Sequence, residues 1–409
     1  MRPFPWSVLR RAIPGGIIVL GASASLTAQA PTPPLVDRAG KAGKAWHAVG
    51  NLRIDEQSND NIFLLSDTMR ARLDTFTTSA SAATRFADMR SVNDYITTLR
   101  AGLGVEGPGL LGRTLSIRSD ADYDWYARNA KRRNIDLGFS VTQAFPYRGR
   151  LQLRGRLIPS YFYRNFLADA TDLNGDGVIQ SSERIYAAAV YRDSRLLVGY
   201  RQRLIGSTKT DGFGAAIELA VGRFARTYEA PLGYRSYRGP IVEATLALEL
   251  TRPWTLEVGY THASLNSTVD SAVLLLDEPD FNRDFNGNGT TTDQRVRSVQ
   301  MVDFSRREQQ LDLALRAGLT EGVGARLHYE HRWRAFPSVQ PFDVLNNSRR
   351  DRRDAAGLEL TFRVGPHTHF SVGGDVEIQK VGRSLVPSLT EDVTAYKRNR
   401  FYAGWRFQV

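Results

Sequence analysis

The stretch "DLNGDGVIQSSE", residues 172 to 183, has the residue types and spacing of a calcium-binding loop. Asp172, Asn174 and Asp176 fall at the first, third and fifth positions. Gly177 supplies the turn, Val178 a backbone carbonyl, Gln180 a side-chain or water-mediated contact, and Glu183 a closing bidentate carboxylate. Calcium is a hard cation that gathers about six to eight oxygens, and this spacing collects them on one loop. A second stretch, "DFNGNGTTTDQR", repeats the first half with Asp284, Asn286, Asn288, Gly289, Thr290 and Thr292, but sets Arg295 where the closing carboxylate belongs. Asn-Gly and Asp-Gly clusters also form tight turns without an ion. The spacing therefore predicts Ca2+ at 172–183 and a weaker site at 284–295.

Such a loop normally joins two helices, whereas its flanks here, "SYFYRNF" and "YAAAVYR", read as strands. The ends of the chain explain the setting. Residues 1–30 carry Arg2, Arg10 and Arg11, an apolar run ending "GGIIVLGASASL", and small residues suited to cleavage after Ala24 or Ala30, the latter disfavoured by Pro31. This pattern predicts a cleaved secretory signal over 1–30, a flexible periplasmic leader over 31–44, and one domain over 45–409. The chain has no cysteine, so neither a disulfide framework nor a lipoprotein acylation site is available to it. No run after the leader approaches the ~20 apolar residues of a transmembrane helix.

Beyond the leader the periodicity is two, repeatedly. In "DYITTLRAGLGVE" one face holds Tyr95, Thr97, Leu99, Ala101, Leu103 and Val105; the other holds Asp94, Thr98, Arg100, Gly102 and Glu106. "TLSIRSDADYDWY" sets Leu115, Ile117, Ala121, Tyr123 and Trp125 against Asp120, Asp122 and Asp124. Many such runs reach ten or more residues, the length of a tilted strand crossing a bilayer, whereas strands of soluble sandwiches average about five or six. A sheet in lipid must close, because hydrocarbon offers no partner for an edge. The mean hydropathy of -0.33 fits a wall in which only alternate residues meet lipid. Links also alternate: "GPGLLGR", "PYRGR", "GSTKTDG", "TRP", "TEGVG" and "VGPHT" are short, and most others are long, both calcium stretches among them. The expected fold is all-β: a single closed antiparallel transmembrane β-barrel of about fourteen strands, within a range of 12 to 16, with short periplasmic turns and long extracellular loops. Residues 66–92 hide an extra strand pair or fold inward as a plug.

In the final residues, "RFYAGWRFQV", Phe401, Ala403, Trp405, Phe407 and Val409 share one face. This resembles the terminal strand of Gram-negative outer-membrane barrel proteins of porin-like type, which the barrel-insertion machinery of that membrane recognises. It departs from the usual form in ending on Val409 with the aromatic residue two positions earlier. The resemblance implies residence in the outer membrane of a Gram-negative bacterium, with lipid and lipopolysaccharide as neighbours. A fainter likeness lies in "SNDNIF", residues 58–63, which is similar to the end of the first strand in porin-like barrels of exopolysaccharide systems.

The formal charge is +11. A secreted barrel makes nucleic acid an unsuitable partner, and the phosphates of the surrounding leaflet a suitable one. Arg154, Arg156, Arg164, Arg195, Arg201 and Arg203 fall on the expected lumen side of two adjacent strands, and Glu359, Asp375 and Glu377 on that of two strands halfway round. The pattern predicts a basic wall facing an acidic one across a channel for small polar or anionic solutes, saccharides among them. The alternative is local pairing of these charges with Asp193, Glu218, Glu243, Glu249 and Glu257, in a filled barrel serving polysaccharide export or a structural role. An enzyme reading rests on "VGYTHASLNS", similar to the His-x-Ser stretch of outer-membrane phospholipases and lipid A deacylases. There His262 and Ser264 would be base and nucleophile of a calcium-dependent lipid esterase. Those families place Asn after the Ser, where this chain has Leu265, and no orienting partner is evident. The expectation is of a non-enzymatic barrel.

Overall fold

Exposure along residues 94–108 follows the alternation of residue types. Tyr95, Leu99, Ala101, Leu103 and Val105 are exposed, while Asp94, Ile96 and Thr98 are buried and Arg100 half-buried. The computed structural model describes residues 45–75, 86–170, 184–205, 213–251, 253–269, 272–279, 295–338, 343, 346–382 and 395–408. In chain order these form β1 (His47–Asn59), α1 (Asp67–Thr75), β2 (Asp94–Pro108), β3 (Thr114–Tyr126), β4 (Asn134–Ala144), β5 (Gly149–Ala170), β6 (Arg184–Ile205), β7 (Gly214–Tyr228) and β8 (Tyr237–Thr251). There follow β9 (Trp254–Ser267), β10 (Ala272–Pro279), β11 (Arg295–Val302), β12 (Arg306–Thr320), β13 (Val323–Ala335), β14 (Arg350–Arg363), β15 (Thr368–Gly382) and β16 (Tyr396–Gln408).

Fourteen of these strands close into one antiparallel barrel. Each pairs with its neighbours in sequence, except that β9 pairs β12, and the ladder Asn51–Asn59 against Arg400–Gln408 joins β1 to β16 and closes the ring. The hairpin β10–β11 stands outside the ring and touches it where Leu276 pairs with Ala170. The expected strand number holds, and this hairpin is an addition that no alternation in the sequence announced. The predicted signal and leader, the calcium stretch at 172–183, and Asp284, Asn286, Asn288, Thr290 and Thr292 lie outside the described residues.

The outer wall is apolar because every backbone donor and acceptor is spent on the ladder, leaving side chains alone to meet the surroundings. Leu103 is 73% exposed, Leu327 55% and Phe401 67%, and all point outward. Phe362, Phe370 and Trp405 pack in contact at the turn end of this belt, and Tyr329 and Trp333 are exposed near its loop end. The roughly ten residues separating Trp333 from Val323, at about 3.3 Å each and a tilt of about 40°, give ~25 Å, the height of a bilayer's apolar band.

At the loop end, the segment after β1 folds inward. The terminal Asn59 Oδ1 accepts from the Asn61 amide, and Asn61 Nδ2 donates to the carbonyls of Leu65 and of Lys397 on β16. Ser66 caps α1 through its hydroxyl, which accepts from the Met69 amide. Ile62, Phe63, Leu65, Met69, Phe86, Met89 and Val92 then bury themselves with Ile96 and Tyr126, both on the inner face of β2 and β3, and with Phe162 of β5. Burying one such side chain is worth about 1.5–3 kcal/mol, so the cluster holds this segment firmly. "SNDNIF" is the entry to that fold, and of the two expectations for residues 66–92 the inward one describes the residues seen.

Candidate functional site

The inner wall is a ladder of paired charges. Arg154 on β5 reaches Glu218 at 2.9 Å and Glu243 at 3.3 Å; Arg195 meets Glu243, and Arg201 lies 3.9 Å from Glu218. Arg203 lies 2.5 Å from Glu249, and Arg156 is forked onto Asp136 of β4. On the far side Asp375 accepts from Arg400 at 2.8 Å, and Glu377, 1% exposed, is enclosed by Arg353, Arg398 and the Tyr396 hydroxyl. Glu359 accepts from the Thr361 hydroxyl at 3.4 Å. Arg164 sits apart, in the portion of β5 that continues past β4: it donates to the Leu64 carbonyl and stacks on Tyr163 and Phe166.

These contacts do not sort into a basic wall and an acidic wall. Arg154, Arg156, Arg195, Arg201 and Arg203 are each matched by a carboxylate from β4, β7 or β8, and the acids of β15 by arginines of β14 and β16. The reason is reach: a guanidinium on three methylenes and a facing carboxylate together span two or three strand spacings of about 4.8 Å across the curved inner wall, so partners lie off the strand on which a sequence pattern is counted. Asp193, one of the acids expected to pair locally, takes both fork nitrogens of Arg226 at 2.7 and 2.6 Å, and Glu257 takes Arg316 at 2.9 Å.

The direction of the pairing matters more than its extent. Among the described residues, the ion pairs between inward-facing strand residues join strands at most three places apart round the ring. Further instances are Arg100 to Asp122, Arg334 to Glu308 and Arg353 to Glu330. They run along the wall and none spans its diameter.

The inward segment is clamped by an arginine that no motif flagged. Arg132, on the short link between β3 and β4, is 1% exposed, and among the described residues it pairs with no carboxylate. Its guanidinium donates to the Tyr163 carbonyl at 2.5 Å and to the Tyr161 hydroxyl, and stacks on Phe63 and Tyr161, each at 4.9 Å, and on Tyr126 at 5.6 Å. Rings accept a desolvated cation through their quadrupoles.

On the outer wall, His262 and Ser264 face outward on β9, opposite Gln309 and Arg307 of β12. Among the described residues no carboxylate lies opposite either in the ladders that flank β9, where a triad would need its third member. A histidine–carboxylate pair occurs elsewhere on this wall: Asp354 Oδ1 lies 2.5 Å from His331 Nδ1 and accepts from the Tyr329 hydroxyl at 2.8 Å, with Trp333 packed on the imidazole. Sequence reasoning missed it because β13 and β14 meet only through their register, His331 opposite Asp354.

In the loop between β13 and β14, Asp343 is wholly buried. Its carboxylate accepts from the amides of Asp303 and Asn346 at 3.0 and 2.9 Å. Burial raises its pKa above the ordinary value, and these hydrogen bonds offset part of the rise.

No family model matches the chain, and no curated protein matches its sequence. Among solved structures it is similar to the outer membrane channel DcaP of Acinetobacter baumannii, at 9% identity over 90% of this chain and 99% of that one, with a TM-score of 0.43. It is also similar to the anion-selective porin from Comamonas acidovorans, at 10% identity over 89% and 99% of the two chains and a TM-score of 0.37. OccD3 of Pseudomonas aeruginosa aligns at 8% identity over 91% and 94%, with a TM-score of 0.35. At such identities no residue role transfers from those proteins to this one.

Proposed function

We propose that the protein is a porin-like channel of a Gram-negative outer membrane, passing small polar or anionic solutes, saccharides among them. The observation that carries this is the course of the ion pairs: they line the wall and leave its diameter without a salt bridge among the described residues. A wall of alternating guanidinium and carboxylate offers donors and acceptors to a hydrated solute and nothing to an apolar one. Arg154, Arg156, Arg195, Arg201, Arg203, Glu359, Asp375 and Glu377 are its lining residues, and Arg164 belongs to the mouth. Purified protein that shows heat-modifiable mobility should give stepwise conductance in planar bilayers. Silence from such folded protein would overturn the reading.

A second reading, a plugged barrel serving export or anchorage, is favoured by the packing of residues 62–69 and 86–92 on the inner face of β2 and β3. The two separate on deletion of 66–90: a channel already conducts before the deletion, and a plugged barrel only after it. Calcium at 172–183, held by Asp172, Asn174, Asp176, Val178, Gln180 and Glu183, would pin the tip of the long β5–β6 hairpin. Asp284, Asn286, Asn288, Thr290 and Thr292 would form the weaker site at the tip of β10–β11. Chelator should then speed proteolysis between residues 169 and 184, and Asp172→Ala with Glu183→Ala should abolish that difference. The last strand, β16, carries the insertion signal, and lipopolysaccharide is the expected neighbour of the loop-end rim.

A further inference from the structure

The geometry points to a binding site, on the outer wall of β12 to β16, for a membrane lipid whose headgroup bears more than one phosphate. Arg307, Arg350, Arg352, Lys380 and Lys397 are all exposed on the outward face at the loop ends of their strands. The ladders set them in adjoining rows. Arg307 is opposite Ala335, which is opposite Arg350; Arg352 is opposite Lys380; and Lys397 is opposite Ile378, one row nearer the belt.

Two features make this a site rather than scattered surface charge. First, Arg352 and Lys380 are a directly opposed like-charged pair. Such a pair destabilises a sheet unless an anion lies over it. Second, the outward face of these five strands holds one carboxylate among the described residues, Asp354, and its Oδ1 is already engaged by His331 and Tyr329. Asp354 also acts on Arg352, so a single carboxylate serves the five cations of the patch among the described residues, whereas the inner wall pairs its own.

Position selects the ligand. The rows lie at and just beyond Trp333, at the loop-end edge of the apolar belt, so an anion seated there meets the patch with its acyl chains against Leu313, Leu327, Leu358 and Val376. Leu327, Leu358 and Val376 are exposed below the cations. A soluble anion gains only the charged rows; a phosphorylated lipid gains both surfaces. Lysine and arginine near a membrane surface contribute about 1 kcal/mol each toward anionic lipid, and several in three adjoining rows favour a headgroup that engages more than one. This inference rests on the membrane-spanning barrel but not on conduction.

The test is native mass spectrometry of delipidated full-length protein in neutral detergent, titrated with purified lipopolysaccharide, phosphatidylglycerol or phosphatidylcholine. Lipopolysaccharide should bind more tightly than phosphatidylglycerol, and phosphatidylcholine should not compete. Replacing all five cations by Ser should weaken lipopolysaccharide binding about a thousandfold or more, while Arg192→Ser with Arg223→Ser, outward cations of β6 and β7, should leave it unchanged. If the fivefold variant fails to fold, Arg352→Ser with Lys380→Ser should weaken binding about thirtyfold. Binding by the folded fivefold or twofold variant as tight as that of the unaltered protein would overturn the site. So would an equal loss in the Arg192, Arg223 variant, which would mark rim charge in general, or full displacement by inorganic phosphate, which would mark a soluble-anion site. A barrel silent in planar bilayers that still binds lipid would refute the channel and leave this site standing.

Discussion

The inner and outer walls are built from the same strands by the same alternation, yet they treat charge in opposite ways. Inside, arginines of the ladder find carboxylates within a few strands, as Arg154 does in Glu218 and Glu243. Outside, charge is excluded from the belt and gathers at its loop-end edge as cations with few carboxylate partners. Net charge taken from composition says little about a pore until the strand register says which wall holds it.

The largest expected effect is on the inner wall. Glu377→Ala leaves Arg353 and Arg398 buried without their shared acid, and unfolding in detergent should show a loss of about 3–5 kcal/mol. A loss below 1 kcal/mol would mean that water already serves those guanidiniums. On the outer wall depth should decide the cost. Leu327→Lys at mid-belt should destabilise by about 2–4 kcal/mol and Gln309→Lys at the rim by about 0–1 kcal/mol; equal costs would place the belt wrongly.

Arg132→Ala removes a cation held among Phe63, Tyr126 and Tyr161. It should cost about 2 kcal/mol and expose residues 62–92 to protease, with the barrel itself intact. The smallest effect concerns pH. Because burial raises the Asp343 pKa in the folded loop, its contribution to stability is fully present below the unfolded carboxylate pKa. It is lost as pH rises through the folded value. Residues 336–349 should resist protease better near pH 4 than near pH 7, and Asp343→Asn should flatten that difference. An opposite slope would show that the amide hydrogen bonds outweigh burial.

The barrel was legible in the sequence for a physical reason: lipid on one side and polar side chains on the other impose period two along each strand. Tyr95, Leu99 and Leu103 therefore point outward as the pattern says. The closing strand was equally plain, with Phe401, Trp405 and Phe407 exposed on one face. Pairing was not legible, because Arg154 reaches across two strands to Glu243 and no pattern within one strand encodes that. The inward fold after β1 was half legible: residues 66–92 read as either an extra strand pair or a plug, but the anchor, Arg132, comes from a different link. The β10–β11 hairpin was hidden within what reads as one long loop.

The most direct test of the claim that the inner wall is a self-neutralised ladder is the zero-current potential across a salt gradient. It would be measured on single channels of the unaltered protein and of Arg154→Gln, Arg156→Gln, Arg201→Gln. The unaltered channel should show at most a modest anion preference, since its lining arginines are matched. The triple variant should turn cation-preferring, because Glu218, Glu243 and Asp136 then face the lumen without those partners in a poorly screened space. An unchanged potential in a conducting triple variant would contradict the account, for it would mean that these pairs do not line the path of the ions.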